Sequence, residues 1–319
     1  MKTNTDDIKV SVCIITYNQE KYIETCLKSL INQDCNFKYE IIIGDDSSTD
    51  ETRIIIDKVS DEYPDRIKKI YHKENIGTVG NILSVYKLAR GKYIAHIDGD
   101  DYAFPNKLSK QVQALENNPD CVICSHDMYI VNQHGKKIKS NFISYEEGEH
   151  DIRDLYENLP FFCHSSKMFI NDLSNEFWIN MHPNTLDIEV HIAQANKGSI
   201  YHLDTQLGAY RYLTGVSSKN KRVNPILIEG NQRIFNEALL DNKIDKEFIK
   251  YCYAKSIFNY AYQSAVFGNK DDFNKYIKTS CEIVKYSIIQ KIFYFLRYIP
   301  FIAIVICQLR AKLRGYKIL

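Results

Sequence analysis

Three acids that follow an apolar run are the residues of this chain best suited to chemistry. The run Tyr93–Ile97 has the composition of a buried strand, and it leads directly into Asp98, Gly99, Asp100 and Asp101. Residues two apart on a strand point to the same side, so Asp98 and Asp100 are expected to converge at its carboxyl end. Their carboxylate oxygens are ligands that Mg²⁺ or Mn²⁺ prefers, which predicts a divalent metal site. The alternative interpretation is a polar turn before the next helix.

Two more polar clusters follow apolar runs. Residues 16–18 come after the run that begins at Val10, while Asp45 and Asp46 come after the run that begins at Tyr39. Strand-length apolar runs alternate with helical periodicities, and this alternation predicts a parallel, doubly wound α/β sheet. In such sheets ligands bind beyond the carboxyl ends of the strands, so all three polar clusters are expected at one edge.

The expected elements alternate through the first part of the chain. Strands are expected at 10–16, 39–44, 67–72, 93–98 and 121–125, separated by helices near 22–31, 54–63, 79–89 and 105–115. Further on, the pattern predicts a strand at 161–170, a helix over Leu186–Ala193 with Thr185 as its cap, and strands at Ile200–Leu203 and Leu207–Tyr212. Two or three amphipathic helices are expected between about 225 and 280.

Composition excludes several classes of protein. The 319 residues are 45% hydrophobic with a net charge of +1, which argues against a nucleic-acid partner bound through bulk electrostatics. Nine cysteines are scattered, and the pair Cys121 and Cys124 lacks a second pair, so core cysteines are expected rather than a zinc site. The polar start argues against a cleavable signal peptide, and a reducing cytoplasmic location is expected.

The end of the chain differs in charge from the rest. From Glu282 to Leu319 there are seven basic residues and one acid, interleaved with aliphatic and aromatic side chains. The uncharged stretch Tyr298–Gln308 is too short to cross a bilayer. This composition predicts a helix that lies in the membrane surface. The alternative is a C-terminal helix packed on the domain with a basic outer face.

Aromatic, amide and paired-acid groups at one edge suit a nucleotide diphosphate with a divalent metal. Tyr17 is placed to pack on a base, and Asp46 to accept a hydrogen bond from a base N–H. The chain has no G-x-x-x-x-G-K-[ST] sequence and no G-x-G-x-x-G after the first strand. This absence disfavours P-loop and dinucleotide-dehydrogenase functions.

Residues 10–125 resemble glycosyltransferase family 2, the inverting enzymes with the GT-A fold. The matching segments are Ile14–Glu20, Asp45–Asp50, Asn75-x-Gly77 and Gly91–Asp101, in this order. The likeness continues more faintly to about residue 218 and does not cover the C-terminal third. It implies a GT-A-like (Rossmann-like), mostly parallel central sheet flanked by helices, with a helical C-terminal region.

The resemblance also implies roles for individual residues. Asp100 would be the direct ligand of Mn²⁺ or Mg²⁺, with Asp98 beside the metal and the ribose. The residues that it implies for binding the nucleotide sugar are Thr16, Tyr17, Asn18, Glu20, Asp46, Asn75, Gly77, Asp98, His164 and Arg211. Asp46 would contact the uracil of a UDP-sugar. For His164, a buried, hydrogen-bonded histidine of the core is the alternative.

The family places its catalytic base in an acidic motif at the start of a helix, and Asp187 is the best match. A carboxylate there would take the proton of the acceptor hydroxyl as its oxygen attacks the anomeric carbon, inverting the configuration. A helix N-terminus favours the ionised carboxylate. The alternative for Asp187 is an ordinary acid of a first helical turn. Trp178, the only tryptophan, is not in the Gln-x-x-Arg-Trp motif of processive family members, which favours transfer of one sugar.

Together these observations predict a metal-dependent inverting glycosyltransferase of the hexosyltransferase type. Its expected substrates are a UDP-sugar and a glycan acceptor, in particular a lipid-linked oligosaccharide of surface polysaccharide synthesis, at the inner face of the cytoplasmic membrane. The expected domains are a GT-A domain at 1–220 (a nucleotide-binding half, 1–125, and an acceptor half, 126–220), a helical extension at 221–281 and a membrane-associating tail at 282–319. The alternatives are a sugar-nucleotide-forming nucleotidyltransferase and an inactive homologue that binds sugar nucleotides.

Overall fold

A mixed sheet organises the first of two units in the chain. The computed structural model describes residues 8–141, 143–173, 176–212, 222–241 and 243–313. The first unit comprises Met1–Leu155 and Pro160–Gly215, and the second comprises Tyr156–Leu159 and Val216–Leu319.

The described residues contain ten strands in one sheet. The strands are β1 (Val10–Thr16), β2 (Tyr39–Asp45), β3 (Ile67–Tyr71), β4 (Tyr93–Asp98), β5 (Tyr102–Ala103), β6 (Cys121–Val131), β7 (Lys137–Lys139), β8 (Gly148–His150), β9 (Met168–Ile170) and β10 (Ser199–Arg211). Their order is β3-β2-β1-β4-β9-β6-β10-β5, with β7 beside β6 and β8 beside β10. Strands β1 to β4 are parallel, and β9 joins them to the parallel pair β6 and β10 by antiparallel pairing. The predicted α/β fold is confirmed.

Helices cover this sheet and form the C-terminal region. They are α1 (Ile23–Ile31), α2 (Thr52–Glu62), α3 (Gly77–Tyr86), α4 (Lys107–Asn117), α5 (Ile152–Asn158), α6 (Glu176–Ile179), α7 (Asp187–Ala195), α8 (Pro225–Leu240), α9 (Lys246–Val266), α10 (Lys270–Ile283), α11 (Ile288–Leu296) and α12 (Pro300–Leu313).

The centre of the sheet is apolar on both faces, as expected for parallel strands covered by helices. Val12 and Ile14 of β1 pack in one core cluster with Ile23 and Leu27 of α1 and with Ile41 of β2. Each of these side chains is at most 1% exposed, so burial of each contributes about 1.5–3 kcal/mol to stability. This core fixes the strand ends that carry the polar clusters.

Gly91 lets the chain enter β4 directly against β1. A Cβ atom at Gly91 would lie 2.5 Å from the backbone nitrogen of Ser11 and 2.7 Å from the carbonyl carbon of Val10. Backbone atoms of a central strand cannot move away cheaply, so we expect Gly91→Ala to lower the free energy of unfolding by roughly 2–4 kcal/mol. Urea denaturation measures this change, and an unchanged midpoint would contradict the proposed crowding.

Two segments differ from the sequence-based expectation because their pairing is non-local. The expected strand at 161–170 is instead a short 3-10 helix, His164–Ser166, followed by β9. The two strands expected within 200–212 are one long strand, β10, which is interrupted by irregular register against β6 near Gln206. Strand β6 continues to Val131 because β10 pairs with it along that length.

The start of α7 also differs in its capping. The Thr185 hydroxyl donates to the carbonyl oxygen of His182, 2.7 Å away, and does not cap the helix. Leu186 occupies the N-cap position, and its backbone N–H donates to the Glu189 carboxylate at 2.7 Å. Asp187 is therefore the first residue of the helix.

The second unit is helical. Its three helices between 225 and 283, α8, α9 and α10, agree with the expected number. Side chains cap four of its helices: Asn224, Asp245, Asn269 and Ser287 each accept a hydrogen bond from a backbone N–H in the first turn of the helix that follows. The long helix α9 packs against α8, α10 and α12.

Two helices, α11 and α12, replace the single helix expected in the tail. The side chains of Ala303, Cys307 and Ala311 are the buried ones of α12, because this face packs against α9 and α10. The large side chains that these two helices and their linker expose are Ile288, Ile289, Ile292, Phe295, Tyr298, Ile299, Phe301, Ile302, Val305, Ile306, Leu309 and Leu313. We call these residues the apolar face. Residues 314–319 of the expected tail lie outside the described residues.

All nine cysteines are free thiols, and only Cys35, in the connection from α1 to β2, is not fully buried. Cys121 and Cys124 belong to the main core cluster, as expected from their apolar setting. Burial raises the pKa of most of these thiols, for example to about 11 at Cys121 and to about 12 at Cys307.

Candidate active site

The carboxyl ends of β1, β2 and β4 meet at one edge of the sheet. Thr16 pairs with Asp45 across β1 and β2, and Ile15 pairs with Asp98 across β1 and β4. Neighbouring strands are about 4.8 Å apart, so the three polar clusters lie side by side. The Asp46 backbone N–H donates to the Thr16 carbonyl oxygen at 3.0 Å and continues this pairing one residue beyond β2.

The loops after β1 and β2 hold each other in place. Asn18 has a positive φ of 53°, and its side-chain oxygen accepts from the Thr49 backbone N–H at 2.8 Å. The Glu20 carboxylate accepts from the Glu51 backbone N–H at 3.1 Å. Tyr17, between these contacts, is 38% exposed and projects an aromatic ring at the edge. The structure thus places Asn18 and Glu20 as braces of the loops, while Tyr17 is accessible to a ligand.

Asp46 connects the second cluster to the start of α3. Its carboxylate accepts from the Ile76 backbone N–H at 2.7 Å, and its carbonyl oxygen accepts from the Asn75 side-chain amide at 3.2 Å. The next residue, Gly77, has a φ of +78°, a conformation that disfavours other residues, and the space around it is open. These contacts connect the end of β2 with the turn before α3, at the edge that carries Tyr17.

The acid loop (Asp98–Asp101) packs closely on the end of β1. The Gly99 backbone N–H donates to the Ile15 carbonyl oxygen at 2.9 Å. A Cβ atom at Gly99 would lie 2.4 Å from the Gln19 side-chain oxygen and 2.9 Å from the Thr16 hydroxyl oxygen. The Thr16 hydroxyl donates to the same Gln19 oxygen at 2.7 Å. Glycine is therefore needed for close approach to Thr16 and Gln19.

Arg211 supports the acid loop from β10. Its Nε donates to the Asp100 carbonyl oxygen at 2.9 Å, and its backbone N–H donates to the Asp101 carboxylate at 2.8 Å. Its guanidinium lies 4.5 Å from the centre of the Tyr22 ring. These contacts are with the protein, so the structure places Arg211 as a support of the acid loop. A cavity of about 480 Å³ adjoins it, and neither Asp98 nor Asp187 is among the residues that line this cavity.

The acids of this loop are crowded. Burial raises the pKa of Asp101 well above its usual range, and the neighbouring Asp100 and Asp98 carboxylates raise it further. The neutral form of Asp101 is therefore favoured. The Asp98 side chain is 31% exposed, and Asp100 as a residue is 8% exposed.

The acid loop suits a divalent cation that is coordinated both by its carboxylates and by a bound substrate. Within the described ranges, no three His, Cys, Asp or Glu side chains converge closely enough to hold a metal ion by themselves. Mg²⁺ commonly binds through one or two carboxylates, with water and substrate phosphates in the remaining positions. Asp98 and Asp100 offer that number of carboxylates, so the donor set fits a cation that binds together with a diphosphate.

Three buried histidines lie behind Asp98. His96 Nε2 is 3.2 Å from a carboxylate oxygen of Asp98, and the rings of His96 and His164 have centroids 3.9 Å apart. Burial lowers the pKa of His96, His164 and His191, and the positive charge of Lys167 lowers each of them further, so all three are neutral near pH 7. His164 is thus buried beside the site, but among the described residues neither of its ring nitrogens has a hydrogen-bond partner, so it differs from the hydrogen-bonded core histidine of the alternative interpretation.

Asp187 projects from the first turn of α7, and water reaches its side chain. Surrounding protein atoms nevertheless raise the pKa of its carboxyl to about 6, with a further rise from Asp98 and an opposing effect of Lys167. Solvation of the accessible carboxylate opposes part of this shift. An accessible carboxylate with a raised pKa has the properties of a general base.

Ser165 and Lys167 were not singled out as site residues from the sequence. The Asp98 backbone N–H donates to the Ser165 hydroxyl oxygen at 3.0 Å, so Ser165 orients the end of β4. Lys167 is fully buried, although lysine is a basic residue. The available signal was a lysine directly before the apolar residues 168–170. A lysine in such a segment is expected to be buried, and a charged side chain is rarely buried without a partner.

Comparisons with known proteins agree with this geometry. The chain is 37% identical to the Escherichia coli enzyme WfaP, a UDP-Glc:alpha-D-GlcNAc-diphosphoundecaprenol beta-1,3-glucosyltransferase, over 124 residues that make up 39% of this chain and 47% of WfaP. The first curated relative of this chain is matched over 37% of that relative's length.

Two solved structures share the fold. The crystal structure of Staphylococcus aureus TarS 1–349 with UDP-GlcNAc has a TM-score of 0.67 at 18% identity, over 97% of this chain and 92% of TarS 1–349. The Pyrobaculum calidifontis mannosyltransferase PcManGT with GDP-Man and Mn²⁺ has a TM-score of 0.58 at 15% identity, over 95% of this chain and 87% of PcManGT. At these identities the likeness shows the fold alone.

The family model described as Glycosyl transferase family 2 matches residues 11–178, which is more than half of the chain. The matched range contains β1, β2, β4 and the acid loop, and it ends before Asp187. With the sheet and the edge described above, this match means that the chain belongs to glycosyl transferase family 2.

Proposed function

We propose that the protein transfers one sugar from a UDP-sugar to an acceptor hydroxyl with inversion at the anomeric carbon. The observation that carries this proposal is the pairing of two kinds of acid: Asp98 and Asp100 at the strand edge, and the accessible Asp187, whose pKa responds to Asp98. A metal ion that stabilises a diphosphate leaving group needs carboxylate ligands. Removal of the proton of the acceptor hydroxyl needs a further carboxylate that acts as a general base. UDP-GlcNAc in TarS and UDP-Glc in the name of WfaP support the choice of nucleotide.

The donor would bind along the edge formed by β1, β2 and β4. The exposed ring of Tyr17 would stack on the uracil, and the open space beside Asp46 and Gly77 would take the nucleoside. Asp98 and Asp100 would hold Mg²⁺ or Mn²⁺, which supplies charge neutralisation of the diphosphate when bound. Mn²⁺ in PcManGT supports this choice of metal.

The transfer would be a single displacement. The acceptor oxygen attacks the anomeric carbon on the face opposite the UDP, and its proton passes to the Asp187 carboxylate. The bond between the anomeric carbon and the UDP oxygen breaks, and UDP leaves with the electron pair. The products are the inverted glycoside, UDP, and a proton that Asp187 returns to water.

A product assay tests this function. We expect release of UDP from one of UDP-Glc, UDP-Gal, UDP-GlcNAc and UDP-GalNAc, with Mn²⁺ or Mg²⁺, and no release with chelator. Release of pyrophosphate from a sugar phosphate and UTP would instead support a nucleotidyltransferase. Binding of UDP without turnover of any donor, in the presence of acceptor lipids, would support an inactive homologue.

We infer that the acceptor is a lipid-linked oligosaccharide and that α11 and α12 lie on the cytoplasmic face of the inner membrane. WfaP, by its name, uses an acceptor on diphosphoundecaprenol. In this chain the apolar face is flanked by Lys285, Lys291, Arg297, Arg310 and Lys312, and residues 283–313 contain no acid. No described helix is both long and apolar enough to span a bilayer. An apolar surface with a basic border suits an interface with anionic lipids.

Vesicle binding tests this membrane surface. We expect the protein to sediment with vesicles that contain phosphatidylglycerol and to be released by salt, because each basic residue near an anionic surface contributes about 1 kcal/mol. The double substitution Phe295→Glu and Phe301→Glu is expected to lower binding at least about tenfold, since it places two charges on the apolar face.

Leu240→Glu is the matched control, because Leu240 is 82% exposed in the same unit but lies outside the apolar face. We expect it to leave vesicle binding unchanged. If the wild type binds no vesicles and sediments as a dimer that the double substitution dissociates, the apolar face is a subunit interface.

A further inference from the structure

Lys167 is a fully buried lysine whose contacts reach two elements of the site. Its Nζ donates to the side-chain oxygen of Gln194 at 3.1 Å and lies 3.2 Å from Nδ1 of His191. Gln194 and His191 are both on α7, the helix that begins with Asp187. The side chain of Lys167 therefore links its own segment to α7 through two contacts.

The backbone of Lys167 forms a hydrogen bond with β4, the second element of the site. Its carbonyl oxygen accepts from the His96 backbone N–H at 3.0 Å, two residues before Asp98 on β4. His96 in turn lies 3.2 Å from the Asp98 carboxylate through Nε2. One residue thus connects the strand that carries Asp98 with the helix that carries Asp187.

Burial of a lysine ammonium group is costly unless the group is hydrogen-bonded and lies near an opposite charge. Burial lowers the pKa of Lys167 to about 7, while the negative charges of Asp187 and Asp98 favour its protonated form. Burial favours the neutral forms of the three histidines around it, so Lys167 is the group of this cluster, among the described residues, that supplies a positive charge when protonated.

We propose that Lys167 is a positioning residue that holds α7, and with it the Asp187 carboxylate, at a fixed place relative to Asp98. This inference rests on the proposed function, because it assigns Lys167 a role in placing the base of that reaction. Contacts through Gln194 and His191 set the position of α7. The charge of Lys167 stabilises the ionised form of Asp187, which is the form that accepts a proton.

Three charged or titratable groups of the described residues interact electrostatically with Asp187. They are Asp98 from β4, Lys167 from the connection between the 3-10 helix and β9, and the Tyr86 phenol from α3. Asp98 disfavours the ionised form of Asp187, whereas Lys167 favours it. Loss of the Lys167 charge therefore moves the titration of Asp187 to higher pH.

Kinetics of substituted enzymes test the placement. For Lys167→Met we expect kcat for UDP release to fall on the order of 10²-fold with a nearly unchanged donor KM, because misplacement of a base affects the chemical step. The acid limb of the pH profile is expected to move to higher pH. Lys167→Arg restores the charge and is expected to return the acid limb towards its original position. Gln194→Leu removes a tether but no charge, so kcat is expected to fall without a shift of the limb.

Lys107→Met is the matched control for the loss of a buried lysine. Lys107 is 1% exposed, and burial lowers its pKa to about 8, but it lies on α4, and the charges that shift the pKa of Asp187 are those of Asp98 and Lys167. We expect this variant to lose stability without a shift of the acid limb. Equal kinetic effects of the two substitutions would overturn the specific role of Lys167.

A titration that needs no turnover separates the inference from the proposed function. The ¹³C carboxyl resonance of Asp187, assigned with Asp187→Asn, is followed against pH without donor or metal. In Lys167→Met we expect its midpoint to rise, and in Lys107→Met to stay as in the wild type. An unshifted midpoint in Lys167→Met overturns the inference. Absence of UDP release by the wild type with all donors and acceptor lipids would overturn the proposed function instead.

Discussion

Replacement of Asp100 by asparagine is expected to remove metal-dependent UDP release, with a loss of about 10³-fold or more. Asparagine keeps the size of the side chain but removes the negative charge that would hold Mg²⁺ or Mn²⁺ beside the diphosphate. The Asp100 carbonyl oxygen accepts from Arg211 Nε, and this backbone contact does not depend on the Asp100 side chain, so the loop is expected to keep its shape. Initial rates of UDP release over a range of Mn²⁺ concentrations measure the effect.

Asp101→Asn is the matched control for this experiment. Asp101 lies one residue away and is 1% exposed, and burial together with Asp100 and Asp98 raises its pKa, so its neutral form is favoured. An amide oxygen can still accept from the Arg211 backbone N–H. We expect activity within about threefold of the wild type, since no charge is lost. A loss as large as that of Asp100→Asn would mean that Asp101 is also a metal ligand.

Asp187→Asn is expected to lower kcat roughly 10³-fold, within the range for loss of a general base. Binding of UDP, followed by calorimetry with Mn²⁺, is expected to stay within about twofold of the wild type, because the base acts on the acceptor rather than on the nucleotide. Glu189→Gln serves as the control: it changes a second acid of the same helical turn and keeps an oxygen to accept from the Leu186 backbone N–H. A fully active Asp187→Asn variant would support the alternative that Asp187 is an ordinary acid of the first helical turn.

The pH profile gives the same assignment a second test. Surrounding protein atoms raise the pKa of Asp187 to about 6, and the base must be ionised to accept a proton. The rate is therefore expected to be constant above that pH and to fall about tenfold per unit below it. A cation beside Asp98 cancels the charge that raises the pKa, so saturating metal is expected to move this limb to lower pH.

Continuous apolar runs explain why much of the edge was predictable. The ends of β1, β2 and β4 agree with the expected positions to within one residue, because these strands are buried on both faces and change abruptly to polar residues. Knowledge of the strand ends was enough to place Thr16, Asp46 and Asp98 side by side. Registers across β1 then fix their order.

The contacts of individual site residues were not predictable in this way. Asn18, Glu20 and Arg211 lie near the edge, but their polar groups bind Thr49, Glu51 and the acid loop, partners that lie about 30 or 110 residues away in sequence. Lys167 was hidden for the same reason, since its partners on α7 become neighbours only in the fold. Local periodicity contains no information about such pairs.

The burial of the thiols makes the chain selective towards alkylating reagents. Only Cys35 is partly accessible, and it lies at the amino end of β2, opposite the edge that carries Asp46. A maleimide fluorophore is therefore expected to attach at a single position away from the candidate active site. Unfolding exposes the other eight thiols, so the stoichiometry of labelling changes from one to nine and directly counts unfolded molecules.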